Sequence, residues 1–137
     1  MDDEELINFF RDKGFKVTVQ RLAICKYVLS RDDHPSAEQI YQALKIDNPT
    51  ISLGTIYKTL HLMQDLNLIQ ELGFKDGSRR YDPDMDLHIN TVCTKCGKIY
   101  DYKTKKVKEL WNNIISDLEI KPKSQRIDIY YECDECE

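Results

Sequence analysis

The residues best suited to chemistry in this sequence are four cysteines arranged as two Cys-x-x-Cys pairs. Cys93 and Cys96 form the first pair, Cys133 and Cys136 form the second, and 36 residues separate the pairs. Two residues between thiolates allow a tight turn to direct both sulfurs at one ion, at about 2.3 Å from zinc, and two such turns complete a tetrahedron. A closed four-sulfur site leaves no position for a substrate. The spacing therefore predicts a structural Zn(II) site rather than a catalytic one.

The remaining sequence features favour a cytoplasmic protein without disulfides. The N-terminus is acidic, whereas an export signal would be basic and then apolar, and the cytoplasm keeps thiols reduced. The longest apolar run has four residues, far below the ~20 that a membrane span requires. It contains Cys25, which we expect to be a small buried side chain in a helix.

The composition excludes a protein that binds nucleic acid through its net charge. The chain has 137 residues, enough for one ordinary domain or two small ones, with 20 basic and 24 acidic side chains and a net charge of −4. Any attraction to phosphates must therefore come from a local patch. Residues 48–64 contain no carboxylate, so they are the candidate for such a patch.

The first 82 residues are predicted to form a winged helix-turn-helix domain. Helical patterns cover 4–13, a segment from Thr18 to about Ser30, a segment that opens at Pro35 and ends before Pro49, and a segment capped by Ser52. Two strand-like runs, 68–72 and 80–82, follow with glycine between them, which indicates a hairpin.

The rest of the chain is predicted to be a small α/β domain, which makes the fold class α+β. Strands are expected at 88–92, 98–102 and 127–131, with an amphipathic helix at 107–118. We place the domains at 1–82 and 88–137, with residues 83–87 as a hinge. A domain of about 50 residues is marginally stable alone, so zinc and pairing with a second copy would have to stabilise it.

The helix that follows Ser52 has the side chains of a recognition helix. A helical wheel directs Gly54, Lys58 and His61 outward, with Thr55 and Tyr57 on the flanks, and such groups contact phosphates and base edges in a major groove. Further cations are available before the second helix and on the hairpin: Lys16, Lys75, Arg79 and Arg80. The alternative is an ordinary solvated helix that carries a lysine.

A second polar cluster follows from the pairing of the strands around the first cysteine pair. If the hairpin pairs Cys93 near Lys98, Asn90 falls opposite Asp101. Side chains two apart on a strand share a face, so His88 would join them. The alternative is a plain polar face of a sheet.

Five segments together closely resemble the ferric uptake regulator family of metal-dependent repressors: 17–21, 34–41, 51–60, 93–98 and 129–136. The resemblance implies a homodimer whose winged helices bind a palindromic operator in double-stranded DNA. It implies DNA contacts by Tyr57 and Lys58 on the recognition helix and by Lys16 nearby. To this set we add the polar residues around these three: Arg21, Ser52, Thr55 and His61. Lys58 stands where the family usually has arginine, and it lacks the bidentate fork, so operator preference is expected to differ.

The resemblance also implies a regulatory metal site formed by His34, Asp82, His88 and Asp101, with Asn90 beside them. Two imidazoles with oxygen ligands suit Fe(II) or Mn(II). Such an ion would favour the arrangement of the two domains that matches the operator. The family generally has histidine where Asn90 stands, so affinity at this site is expected to differ.

Asp101 stands where iron-uptake members tend to have glutamate, which favours the peroxide-responsive branch of the family. In that branch bound Fe(II) reacts with hydrogen peroxide, and oxidation of a histidine ligand, here His34 or His88, releases the operator. A repressor that responds to ferrous iron or another metal without sensing peroxide is the alternative within the family. A zinc-ribbon adaptor that binds protein, or an electron carrier with iron at the four cysteines, is the alternative from another class. We expect no enzyme activity, no small organic substrate and no membrane partner.

Overall fold

The computed structural model describes residues 1–74 and 77–135, which form two units, 1–85 and 86–137. Lys75, at the tip of the predicted wing, and Cys136 lie outside the described residues. The first unit contains the helices α1 (Asp3–Asp12), α2 (Val19–Leu29), α3 (Ala37–Leu44) and α4 (Leu53–Asp65), then the strands β1 (Gln70–Gly73) and β2 (Arg79–Asp82). The second contains β3 (Ile89–Cys93), β4 (Ile99–Tyr102), α5 (Lys105–Leu118) and β5 (Ile127–Tyr131).

The helices of the first unit begin where polar side chains can cap them. Thr18 accepts a hydrogen bond from a backbone N–H in the first turn of α2, and Ser52 does the same for α4. At α3, Ser36 and Gln39 form a reciprocal capping box. These caps satisfy donors that a helix start otherwise leaves unpaired. The predicted helices are confirmed, and α3 ends several residues before Pro49.

One apolar core holds the first unit together. All four helices and β2 contribute fully buried side chains to it, and burial of this kind is the main stabilising term in folding. Cys25 belongs to this core and is fully buried, which confirms its predicted role as a small apolar side chain. The core residues are Leu6, Phe10, Ile24, Cys25, Val28, Ala37, Ile40, Ile51, Ile56, Leu60, Met63, Ile69 and Tyr81.

The hairpin of the first unit ends beside the start of α3. Strands β1 and β2 pair antiparallel, with Gln70 opposite Asp82. The backbone N–H of Tyr81 donates to the carbonyl of Pro35 at 3.0 Å. This bond fixes the end of β2, and with it Asp82, next to the segment that precedes α3.

The second unit is a three-stranded sheet of order β4-β3-β5 and one helix. Strands β3 and β4 pair antiparallel with Asn90 opposite Asp101, which confirms the predicted register. Strand β5 pairs parallel to β3, and this places Asp128 opposite Asn90. Helix α5 has no buried residue on the single chain, although its apolar stripe is continuous. No helix in the described part of the chain is long and apolar enough to span a membrane.

Candidate metal centres and nucleic-acid surface

Three of the four paired cysteines converge in the second unit. Cys93 ends β3, Cys96 lies in the turn before β4, and Cys133 follows β5. Their sulfurs all lie within 4.8 Å of one another, and the Sγ atoms of Cys96 and Cys133 are 3.8 Å apart. A tetrahedron with metal–sulfur bonds of about 2.3 Å has sulfurs about 3.8 Å apart, whereas a disulfide requires about 2.05 Å. The spacing therefore fits zinc ligation, and the fourth predicted ligand, Cys136, lies outside the described residues.

The backbone around Cys93 favours its thiolate form. The backbone N–H groups of Cys96 and Cys133 point at the Sγ of Cys93, at 3.5 and 3.4 Å. Gly97 adopts a φ of 74°, a left-handed conformation that glycine tolerates without a Cβ penalty, and its N–H donates to the carbonyl of Cys93. The turn thus holds the sulfurs of Cys93 and Cys96 together, and one donor from the turn and one from the segment after β5 both point at Cys93. These features fit a site in which thiolates hold a metal ion.

The first unit contains a buried histidine–carboxylate pair. His34 Nε2 lies 3.1 Å from Asp82 Oδ2, and the two side chains are 1% and 2% exposed. The other oxygen of Asp82 accepts from the backbone N–H of Asp84 at 2.9 Å. A buried carboxylate is costly unless it is paired or coordinates a metal. The pair can supply one nitrogen and one oxygen ligand.

His34 adopts a backbone conformation that the surrounding residues must enforce. Its φ is 53°, although a residue before proline, here Pro35, prefers an extended conformation. The carbonyl of His34 accepts from Arg80 Nε at 2.8 Å, and the carbonyl of Pro35 is held by Tyr81 as described above. Strain of this kind persists where neighbouring contacts over-determine it, often at binding sites. Arg80, which the sequence analysis placed among the wing cations, therefore has a structural contact at His34.

The second unit contains a cluster in which acceptor atoms face one another. His88 Nδ1 lies 2.7 Å from the carbonyl oxygen of Asp86, which can only accept, so Nδ1 carries the hydrogen. In the neutral imidazole the lone pair is then on Nε2. That atom lies 3.0 Å from Asn90 Oδ1 and 3.4 Å from Asp101 Oδ1. One nitrogen and two oxygens thus direct lone pairs at a common point.

A cation resolves the repulsion in this cluster. Either a second proton on His88 or a metal ion between the three side chains stabilises them. A donor set of imidazole, amide oxygen and carboxylate suits Fe(II), Mn(II) or other divalent ions that do not require thiolates. His88 and Asn90 are 4% and 1% exposed, so the cluster is shielded from solvent. The residues present therefore fit a metal ion.

The predicted DNA-binding residues lie on and around α4. At its N-terminal cap the Ser52 hydroxyl accepts from the backbone N–H of Thr55 at 3.1 Å, and the two hydroxyls lie 2.9 Å apart. Tyr57, Lys58 and His61 are exposed along the helix. Before α2, Lys16 is exposed and its carbonyl accepts from the guanidinium of Arg21, which is half-buried.

One carboxylate reaches this surface from another helix. The Tyr57 hydroxyl donates to Glu38 Oε1, on α3, at 2.8 Å, and this bond raises the pKa of Tyr57 above its usual range. The segment 48–64 contains no carboxylate in sequence, yet the fold brings Glu38 beside it. Sequence reasoning missed Glu38, because nineteen positions and a turn separate the two residues.

The fold and these clusters define a metal-binding protein of mixed helix and sheet. The model of the ferric uptake regulator family matches residues 12–130. The chain belongs to this family, whose members are metal-responsive transcription regulators rather than enzymes.

Individual relatives agree with this assignment. The chain is similar to the peroxide-responsive repressor PerR of Staphylococcus aureus, at 37% identity over 134 residues, covering 98% of this chain and 90% of the relative. The Campylobacter jejuni peroxide stress regulator structure matches with a TM-score of 0.76 and 30% identity, covering 99% of this chain and 100% of that one. The Helicobacter pylori ferric uptake regulator matches with a TM-score of 0.80 at 23% identity, covering 97% and 89%.

Proposed function

We propose that this protein is a homodimeric, metal-dependent transcriptional repressor that binds a palindromic operator in double-stranded DNA. In this proposal residues 1–82 are a winged helix-turn-helix domain, 83–87 a hinge and 88–137 a dimerisation domain stabilised by Zn(II). Cys93, Cys96, Cys133 and Cys136 hold the zinc. Family membership and the sulfur spacing support these assignments.

The regulatory ion is Fe(II) or Mn(II), held by His34, Asp82, His88, Asn90 and Asp101. The observation that carries this proposal is the convergence of acceptor atoms at His88 described above, together with the buried pair of His34 and Asp82. The first group supplies three ligand atoms and the second supplies two. An ion that binds both groups would favour one arrangement of the two domains, and that arrangement would bind the operator.

The dimer is supported by apolar surface that the single chain leaves uncovered. Leu110 and Leu118 on α5 are 62% and 56% exposed, and Ile129 on β5 is 49% exposed. Large apolar side chains left this exposed on a helix and on a strand are typical of a protein–protein interface. A second copy would also double the local positive surface of α4, which a chain with a net charge of −4 requires.

The DNA surface in this proposal consists of the exposed face of α4 from its N-terminus to His61 and the segment around the start of α2. Tyr57, Lys58 and His61 contact the major groove or the phosphates that flank it. The other proposed contacts are Lys16, Arg21, Ser52 and Thr55.

The relatives favour peroxide sensing over metal sensing alone. Two of the proteins described above are named for their response to peroxide, at 37% and 30% identity. Fe(II) held at this site would supply the redox chemistry for reaction with hydrogen peroxide, and an adjacent imidazole would be the group that is oxidised. The chain contributes His34 and His88 as the imidazoles, and their burial confines the oxidation to the site.

Operator binding should depend on the second metal. The zinc-loaded protein, freed of weakly held metal, is titrated onto a fluorescent palindromic operator with Fe(II), Mn(II) or Zn(II) supplied separately. We expect affinity to rise with Fe(II) or Mn(II), and His88→Ala to abolish that rise while zinc stays bound. His61→Ala is the matched control, since it should weaken DNA binding and leave the affinity for metal unchanged. A chain that is monomeric with zinc in place, or indifferent to duplex DNA with every metal, contradicts the proposal.

Peroxide sensing is tested by locating the added oxygen. Tryptic peptide 32–45 contains His34 and no methionine or cysteine, so its mass change is unambiguous. Peptide 81–95 contains His88 together with Cys93 and with Met85, which is 50% exposed, so fragmentation must assign the oxygen among the three. We expect oxygen on a histidine only after iron loading and peroxide, and not after manganese loading. Unmodified histidines with retained DNA binding would favour the repressor that does not sense peroxide.

A further inference from the structure

The orientation of the Asn90 side chain is set by its neighbour on β5. Asn90 is 1% exposed, and its Nδ2 donates to Asp128 Oδ1 at 3.0 Å while its Oδ1 faces His88 Nε2 at 3.0 Å. An amide can rotate by 180° and exchange its oxygen and nitrogen, so its orientation depends on its partners. Asp128 lies opposite Asn90 through the parallel pairing of β3 and β5. One of the two partners must therefore select the orientation.

Asp128 can select only one orientation of the Asn90 side-chain amide. Its carboxylate contacts Arg126 Nη2 at 2.5 Å and Arg126 Nε at 3.3 Å, and its side chain is 14% exposed. A carboxylate paired with a guanidinium accepts hydrogen bonds and has none to donate. The amide nitrogen of Asn90 must face it. The amide oxygen is consequently directed at the point where His88 and Asp101 also direct their lone pairs.

We propose that Asp128 is a positioning residue of the regulatory metal site, which holds Asn90 so that its oxygen, and not its nitrogen, faces the ion. This inference rests on the regulatory site proposed above. Only the oxygen of an amide binds a divalent ion, so the rotated side chain would remove a ligand and present N–H groups to the metal. Because a neutral amide is a weak ligand, its contribution depends on being held in place before the ion arrives. Arg126 acts through Asp128.

Two substitutions at Asp128 test the proposal. Affinity of the zinc-loaded protein for Mn(II) is measured from the EPR signal of free Mn(II), and the visible spectrum of bound Co(II) reports the ligand set. Asp128→Ala should weaken Mn(II) binding by about 10- to 100-fold and give the Co(II) spectrum of Asn90→Ala. Asp128→Asn keeps an acceptor oxygen for Asn90 and should restore most of the affinity.

A double substitution separates positioning from a structural effect. If Asp128 acts through Asn90, adding Asp128→Ala to Asn90→Ala causes no further loss of affinity. Thr91→Val is the matched control, since it removes a β3 side-chain hydrogen bond to the Tyr100 carbonyl at a position whose side chain points to the opposite face of the strand from that of Asn90. It should leave both affinity and spectrum unchanged. The inference is overturned if the losses of Mn(II) affinity in Asp128→Ala and Asn90→Ala add in full in the double variant. It is also overturned if Thr91→Val loses as much affinity as Asp128→Ala.

The outcomes also separate this inference from the function on which it rests. Wild-type protein that binds no Mn(II) or Co(II) beyond its zinc, or whose binding His88→Ala does not change, overturns both proposals. Wild-type protein that binds tightly and loses binding through His88→Ala, while Asp128→Ala has wild-type affinity and spectrum, overturns the role of Asp128 alone.

Discussion

Three of the candidate ligands of this protein, His88, Asn90 and Asp82, are held by an atom that would not bind the ion. His88 is fixed through Nδ1 by the Asp86 carbonyl, and Asn90 through Nδ2 by Asp128. Asp82 is fixed through Oδ1 by a backbone N–H, which leaves Oδ2 for His34. Such outer contacts choose the tautomer and orientation of a ligand and reduce the ordering that binding must otherwise impose. The ligand atoms are thus arranged by the fold itself.

Cys25 differs from the other cysteines because its surroundings suppress its thiolate. Burial among apolar side chains raises the pKa of Cys25 to about 12. Its thiol is therefore neutral and unreactive at neutral pH, since the thiolate is the nucleophile and the metal ligand. The stabilisation from keeping this thiol neutral is present in full below about pH 9, the unfolded value, and is lost as the pH rises towards 12.

We predict that the free energy of unfolding of wild-type protein falls more steeply above pH 9 than that of Cys25→Ala. The difference between the two should change by about 1 kcal/mol between pH 9 and pH 10, because the unfolded thiol ionises and the folded one does not. Urea unfolding of both zinc-loaded proteins at pH 8, 9 and 10 measures it. Parallel pH dependence in the two proteins would show that the buried thiol has an ordinary pKa.

For the helices and strands, the sequence predicted features that depend on neighbouring residues, such as helix starts and the register of a hairpin. It did not predict pairings between segments that are far apart in the chain. Caps at Thr18 and Ser52, and the start signal at Pro35, located the starts of three helices. The short turn between β3 and β4 permits few registers, so the pairing of Asn90 with Asp101 could be derived. The parallel pairing of β5 with β3 joins segments more than thirty positions apart, and no turn fixes its register.

The same difference explains which site residues were predicted. The role of Asp128 depends on the parallel pairing, so no local pattern could reveal it. Glu38 meets Tyr57 only after α3 packs on α4, and Arg80 reaches the His34 carbonyl only after β2 packs beside α3. The four cysteines were found from spacing alone because each pair is local. Contacts between elements that are distant in sequence are therefore the part of the site that residue spacing does not predict.

The contact between α3 and α4 leads to a prediction about DNA affinity. Glu38→Gln keeps the oxygen that accepts from Tyr57 and removes a negative charge next to the proposed DNA surface. We expect operator affinity to rise by about threefold to tenfold in low salt and the gain to shrink as salt screens the charge. Fluorescence anisotropy at two salt concentrations measures it.

A charge-matched control separates this local effect from net charge. Glu4→Gln, on α1, makes the same change in net charge on an exposed residue outside the proposed surface. An equal gain in both variants, or a loss in Glu38→Gln, would place α4 away from the phosphates.

At the scale of the whole molecule, the two units differ in how they are stabilised. The first has a core that draws on four helices and a hairpin. Among the described residues of the second, the buried apolar side chains are Val92, Cys93 and Ile99. Burial this small cannot offset the chain entropy of about 50 residues, and under the proposed function zinc binding and pairing with a second copy supply the remaining folding free energy.

We therefore predict that removal of zinc unfolds the second unit and leaves the first folded. Trp111 is the single tryptophan of the chain and lies on α5, where its Nε1 donates to Gln125 Oε1. Its fluorescence thus reports on the second unit alone. After chelation, or in Cys96→Ala, we expect a solvent-exposed tryptophan spectrum and fast amide exchange in β3, β4 and β5. Amides of α2 and α4 should keep their protection.

The zinc-removal experiment tests two expectations, that the second unit unfolds and that the first stays folded, and each can fail separately. Loss of protection in α2 and α4 together with the sheet would mean that the chain unfolds as one cooperative unit, so the core of the first unit depends on the metal. A native Trp111 spectrum in the chelated protein would mean that dimer contacts on α5 stabilise the second unit without zinc. Repeating the measurement at tenfold lower protein concentration separates the contributions, because stabilisation by a second copy falls with concentration and stabilisation by zinc within one chain does not.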